Sequence, residues 1–167
     1  VSDPEKIVTL HKLADDFDDF WAAKKKVLKA LPMQPKLTPI KDESKFASTL
    51  DDVDLFDVQL NCIGAPVSGY YARPKDAKAK SCPAILFPQP AGVYSCNYWK
   101  VATAAKRGLI ALEINAHGIA NGKDAAFYKR LSKGKLANCY MRNAENRDKA
   151  YFNGIYLRLI RAMNWLC

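Results

Sequence analysis

Two apolar runs of strand length, residues 84–87 and 109–114, bracket a stretch that breaks on Pro88, Pro90 and Gly92 and turns helical over residues 97–107. Neither run alternates polar with apolar positions, as expected of strands covered on both faces. Strand, tight turn, helix and strand make the βαβ unit of a parallel sheet. Ligands of such sheets sit at the carboxyl ends of the strands. The turn 88–92 is therefore the first place to look for a site.

The rest of the pattern supplies the neighbours of this unit. Residues 56–62 alternate apolar and polar with period two, and residues 67–72 do so more loosely, with Gly64, Ala65 and Pro66 between them. Two half-exposed strands around a short turn predict an antiparallel hairpin. Residues 73–81 form a polar loop leading into the first buried strand. Ahead of the hairpin, residues 4–31 read as a helix. Phe17, Phe20, Trp21, Leu28 and Leu31 approximate one face, with acids early and lysines late, as the helix dipole favours. Pro32, Pro35 and Pro39 end that helix and force an extended arm. Beyond residue 114, residues 115–122 form a loop on the expected site face. Residues 124–133 form a short helix with Gly134 at its end. Residues 148–166 form the strongest helix, with Tyr151, Ile155, Leu159, Ala162 and Leu166 along one side. Gly154 weakens that helix by about 1 kcal/mol relative to alanine.

A chain of 167 residues is one domain or part of one. Residues 1–50 read as an amino-terminal helix and arm, and residues 51–167 as an α/β core. No apolar run approaches the roughly 20 residues of a membrane span, and no membrane partner is expected. There is no signal-peptide pattern, and the start at Val1 is expected to be a processed or trimmed end. The compartment stays open, with an exported one, periplasmic or secreted, preferred. The formal net charge of +9 raises a nucleic-acid-binding reading. The lysines, however, cluster weakly and are not interleaved with aromatics as a base-stacking platform requires. A solvated basic surface without a nucleic-acid partner is the expectation. The five cysteines form no CxxC pair and the only histidines are His11 and His117, so no metal or other cofactor is expected and the cysteines read as packing residues.

The order of elements, hairpin, strand, helix, strand and long helix, resembles the opening of the α/β-hydrolase fold. Five stretches sharpen the resemblance: residues 15–21, 64–74, 83–93 (Pro-Ala-Ile-Leu-Phe-Pro-Gln-Pro-Ala-Gly-Val), 108–119 (Gly-Leu-Ile-Ala-Leu-Glu-Ile-Asn-Ala-His-Gly-Ile), and 146–162 with Arg147-Asp148 at its start. In order and spacing they resemble the amino-terminal part of the acetyl xylan esterase and cephalosporin C deacetylase family. The resemblance implies an α/β-hydrolase half-fold, an antiparallel hairpin leading into a parallel sheet with flanking helices. It also implies a serine esterase that removes acetyl groups from xylan or related sugars, without a cofactor and with an acetylated saccharide as substrate.

Such an enzyme needs a nucleophile, a base, an orienting acid and donors for the oxyanion. The fold places the nucleophile in a Gly-x-Ser-x-Gly elbow, followed by acid and histidine. No serine here stands in that pattern. The triad is thus expected beyond Cys167, and the chain alone is expected to be inactive. What the resemblance leaves to this chain is one oxyanion donor, the backbone N–H of Ala91. Gln89 and Pro90 stand where the family has His-Gly or Pro-Gly, and a plain strand-to-helix turn is the alternative. His117 is expected to pack or hydrogen-bond rather than to serve as the triad histidine. Glu113 is expected at a polar strand edge or paired with Arg107. Arg147 and Asp148 are expected to tie the last helix to the site-face loops. The competing functional reading is a self-standing, non-catalytic binding or accessory protein on a degenerate hydrolase scaffold. With the later strands missing, the edge beside residues 109–114 is expected to lie open and to promote self-association.

Overall fold

The period-two pattern of residues 53–74 folds as an antiparallel hairpin, β2 (Val53–Leu60) and β3 (Val67–Pro74), around a turn in which Gly64 takes φ +82°. The computed structural model describes residues 12–41, 50–78 and 80–167. The remaining elements are α1 (Phe17–Ala30), β1 (Lys36–Pro39), β4 (Ala84–Pro88), α2 (Tyr98–Lys106), β5 (Ile110–Ile114), α3 (Ala125–Lys133), a 3-10 turn at Cys139–Met141 and α4 (Tyr151–Leu166). The sheet order is β1-β2-β3-β5-β4. Only β4 and β5 run parallel, as the βαβ pattern predicts; the other three pairings are antiparallel.

Side chains alternate across each strand, so the sheet builds a core on both faces. On one face Val53, Leu55, Tyr70, Ala72 and Ala111 meet Val101, Ala104 and Ala105 of α2. The small alanines let α2 lie close to the sheet. On the other face Val58, Leu60, Val67, Leu112 and Ile114 meet Ala162, Leu159 and Trp165 of α4. Burying each branched aliphatic chain contributes about 1.5–3 kcal/mol.

The structure corrects several expectations. Strand β3 is not half-exposed: Val67, Ser68, Gly69 and Tyr70 are all buried, because β3 lies between β2 and β5 with helices on both faces. Strand β4 is the reverse case. Its apolar run reads as fully buried, yet Ala84 and Pro88 are exposed and the residues between them only half-buried, because β4 is the last strand of the sheet. The open edge therefore belongs to β4, whereas β5 is paired on both sides. The proline-rich arm contributes a strand, β1, whose residues pair with β2.

Helix α1 begins at Phe17, with Asp15 and Asp16 in a preceding turn; residues 4–11 of the expected helix, His11 included, lie outside the described residues. Helix α4 begins at Tyr151 rather than 148, because the Asn146 side chain accepts the N–H groups of Asp148 and Lys149 and holds them in a turn. Its most buried positions are Leu157, Arg158, Arg161 and Ala162, so two arginines share the covered face. Arg161 donates from Nη2 to the carbonyls of Leu28 (2.6 Å), which also accepts the Leu31 N–H, and of Leu31 (3.0 Å) at the end of α1. Arg147 pairs with Asp16 at 2.7 Å and covers the Phe20 ring, and Asp148 lies 3.6 Å from Lys24. That arginine–aspartate pair thus ties the start of α4 to α1, not to the site-face loops.

Candidate active-site turn

The parallel pair β4–β5 delivers two chain segments to the same end of the sheet. The ladder closes with Gln89 N–H donating to Ile114 O at 3.2 Å. The turn 88–92 then leaves β4, and the loop 115–122 leaves β5. A polar network joins them. Gln89 Nε2 donates to the carbonyls of Tyr94 (3.3 Å) and Ser95 (3.0 Å), and Asn115 Nδ2 donates to Tyr94 O at 2.8 Å. Asn121 accepts Cys96 N–H at 2.9 Å and donates to Ser68 Oγ at 3.3 Å. Gly122 N–H donates to Ser95 Oγ at 3.0 Å. Buried polar groups need such partners, so Gln89, Asn115 and Asn121 fix the loops by bonding the backbone of residues 94–96 and the Ser68 hydroxyl. Gln89 Oε1 is the exception, buried with no partner in the described structure.

Ala91 lies on the exposed side of this turn. Its N–H donates to no group among the described residues. The two peptide units that flank it are each held. Gly92 N–H donates to Pro90 O at 2.7 Å, and His117 Nε2 lies 3.1 Å from Ala91 O. No residue of the turn takes a positive φ, so the fixed φ of Pro90 is compatible with it. A Cβ on Gly92 would run into the ring of Tyr94, an exposed side chain that would have to swing aside.

His117 is buried and uses both ring nitrogens, Nε2 toward Ala91 O and Nδ1 toward Tyr151 Oη at 2.7 Å. It hydrogen-bonds rather than standing free as a base, as expected. Burial holds its pKa below the ordinary histidine value, and the nearby Arg158 guanidinium acts in the same direction. Arg158 Nε donates to Ala116 O at 3.0 Å and anchors the strand side of the loop. Glu113 is also buried. It accepts Asn97 N–H at 2.6 Å and Lys100 Nζ at 3.3 Å, so its partner is Lys100 and not Arg107. There it adds charge stabilisation to the N-terminus of α2 beside the Asn97 cap. Among the described residues no serine hydrogen-bonds His117: Ser95 Oγ donates to Cys96 O, and Ser68 is buried within β3.

Under the turn lies a crevice of about 50 Å³ lined by Pro88, Gln89, Ile114, Asn115, Ile155 and Leu159. Two larger apolar grooves, of about 460 and 500 Å³, flank α1 where it meets α4, away from the turn. Cys96 and Cys139 are buried, and burial pushes the Cys96 thiol far up, which makes it inert packing. The family resemblance singles out Ala91 and the site-face loop singles out His117, but neither gives Gln89, Asn115, Asn121 or Tyr151 a role in holding the turn. The available signal for them is the density of amides at the carboxyl ends of two apolar strands, where loops must satisfy their own polar groups.

A hairpin feeding a parallel strand pair, with helices on both faces and a structured turn at the strand ends, defines the opening of an α/β-hydrolase. The family model for acetyl xylan esterase (AXE1) matches residues 6–166, and the chain belongs to that family of carboxylic ester hydrolases. Among solved structures it is similar to the acetyl xylan esterase from Paenibacillus sp. R4, with a TM-score of 0.69 and 23% identity over 92% of this chain and 47% of that one. It is also similar to acetyl xylan esterase 1 from Thermoanaerobacterium sp. JW/SL YS485, with a TM-score of 0.66 and 16% identity over 90% of this chain and 45% of that one. At these identities the likeness is one of fold. The chain spans about half the length of these relatives. No curated protein matches it.

Proposed function

We propose that the chain is the amino-terminal part of a carbohydrate esterase that removes acetyl groups from xylan or related acetylated sugars. Its own contribution is the Ala91 N–H as one of two oxyanion donors. The observation that carries this is a donor without a partner, on an exposed turn, between two peptide units that are each hydrogen-bonded in place. A preorganised donor of this kind stabilises the charge that develops on the carbonyl oxygen without reorganising during the reaction. The triad lies outside these 167 residues, since no serine has the elbow pattern and both nitrogens of His117 are committed elsewhere.

The test has two parts. The 167-residue chain, incubated with acetylated xylan and a chromogenic acetate ester, releases no acetate; release that responds to a serine-directed inhibitor overturns the assignment of the triad elsewhere. In a polypeptide that joins this chain to an elbow-bearing remainder, Ala91→Pro lowers kcat by about 10²–10³ with little change in KM. An unchanged kcat in the folded variant removes Ala91 from the mechanism. The competing reading, a non-catalytic binding protein on this scaffold, rests on the missing elbow alone. It gains if the chain binds acetylated xylan unaided and no joined polypeptide is active.

A further inference from the structure

We propose that His117 is a positioning residue: Tyr151 holds its ring in place, and the ring in turn fixes the Ala91–Gly92 peptide, and with it the direction of the Ala91 N–H. The proposal rests on the reading of Ala91 as a donor, which it deepens by naming what holds that donor still.

The tautomer follows from the partners. A backbone carbonyl only accepts, so the 3.1 Å contact between His117 Nε2 and Ala91 O requires the proton on Nε2. In the neutral ring Nδ1 then carries the lone pair, and the Tyr151 hydroxyl at 2.7 Å donates to it. Tyr151 is itself held at three points. Its N–H donates to Arg142 O at 3.1 Å, the Arg142 guanidinium lies 5.6 Å from its ring centre, and its hydroxyl is committed to His117. The backbone of His117 is fixed as well, its N–H donating to Asn115 Oδ1 at 2.9 Å. The clamp therefore connects the first residue of α4, through the loop after β5, to the turn after β4.

The turn needs an outside hold because it supplies few bonds of its own. Gln89 N–H is spent on the sheet, Pro90 has no N–H, and Ala91 N–H has no partner among the described residues. The single internal bond, Gly92 N–H to Pro90 O, sets the Pro90–Ala91 peptide. The Ala91–Gly92 peptide is held at its N–H by Pro90 O and at its C=O by His117, and the same Gly92 N–H bond holds the Pro90–Ala91 peptide that carries the Ala91 N–H. Ala91 is thus held on one side by the turn and on the other by a side chain 26 residues away in sequence.

Three variants separate this role from ordinary packing. His117→Gln keeps a donor at about the reach of Nε2. His117→Asn is too short to reach Ala91 O. Tyr151→Phe removes the hydroxyl that holds the ring at Nδ1. In ring-nitrogen NMR of the 167-residue chain, His117 shows Nε2 protonated, and in Tyr151→Phe it keeps that tautomer while its ring resonances broaden as the hold at Nδ1 is lost. In amide spectra, His117→Asn shifts or broadens Ala91 and Gly92 while the β3 and β5 amides stay in place, and His117→Gln restores them. A ring protonated at Nδ1, or Ala91 and Gly92 amides unmoved in His117→Asn, overturns the clamp. In the joined, active polypeptide His117→Asn lowers kcat about ten- to a hundredfold at constant KM, because small misplacements of a positioning group cost up to about 10²-fold. His117→Gln recovers most of it. If the NMR pattern holds but neither Ala91→Pro nor His117→Asn changes kcat, the donor reading fails and the clamp stands as a feature of the fold.

Discussion

At the scale of single residues, the buried histidine couples the turn to pH. Burial lowers the pKa of His117 in the folded chain, so the unfolded chain binds a proton more readily. Stability rises with pH wherever the unfolded state binds more protons. The contribution of the neutral ring is complete above the ordinary histidine pKa of about 6.5 and is lost as pH falls from there toward the lowered folded value, with a slope of at most about 1.4 kcal/mol per pH unit. Urea denaturation at pH 7.5, 6.5 and 5.5 should show stability dropping across the lower interval, and His117→Gln should flatten that drop. A variant profile parallel to the wild type removes His117 as the source. Glu113 gives a second residue-scale expectation. Its carboxylate accepts the Asn97 N–H and the Lys100 ammonium from a buried position. Hydrogen bonds to a charged group contribute about 1.5–3 kcal/mol each. Glu113→Gln is expected to cost about that much in urea denaturation at pH 7, with the loss read as fraying of α2 by amide exchange. A cost no larger than that of an exposed substitution would show that the pair adds nothing.

At the scale of elements, periodicity carried far, and it failed where two patterns superpose. The apolar runs of β4 and β5 and the helical stretches of α2 and α3 were legible, because each depends on local spacing. The burial of β3 and the exposure of β4 were not, because they depend on which strand ends up in the middle of the sheet. Arg158 and Arg161 read as solvated by residue type, although Arg158 falls between Ile155 and Ala162 on the apolar side of α4. They are buried because their guanidinium groups meet the carbonyls of Ala116, Leu28 and Leu31, a tertiary fact. The candidate site divides in the same way. Ala91 and His117 stood out, whereas Tyr151 read only as a helix-face residue, since its partner is 34 positions away. Close approach within the sheet supplies a prediction at this scale. A Cβ on Gly69 would run into the Glu113 carbonyl of the paired strand, and neither backbone can yield without opening β3 from β5. Gly64 has φ +82° but open space around it. Gly64→Ala should therefore cost only the left-handed strain of about 1–2 kcal/mol. Gly69→Ala carries an overpacking cost that is typically about 1–3 kcal/mol and is higher where no side chain can move aside. Equal urea midpoints for the two variants would contradict this account.

At the scale of the whole molecule, the sheet ends on β4, and the pairing register says which groups that edge presents. Ile110 N–H donates to Pro83 O and Gln89 N–H donates to Ile114 O, so the odd-numbered residues of this strand face β5. The N–H and C=O of Ala84 and Leu86, and the C=O of Pro88, then point away from the sheet with no strand beside them among the described residues. Unpaired strand edges with apolar side chains are templates for another strand. Proteins blunt such edges with charge, and the outward register here offers none. Pro88 caps one end, which leaves a short docking length. The 167-residue chain alone is therefore expected to self-associate weakly through β4, with a sedimentation coefficient that rises with concentration in the tens-of-micromolar range. Ala84→Lys puts a charge on the exposed start of this edge without disturbing a bond to β5, and it should return the chain to a concentration-independent monomer. Phe17, Trp21 and Tyr156 make a second apolar surface where α1 meets α4. Trp21→Ser tests it in the same experiment. If Trp21→Ser abolishes association and Ala84→Lys does not, the contact is made by the helices and the strand edge is inert.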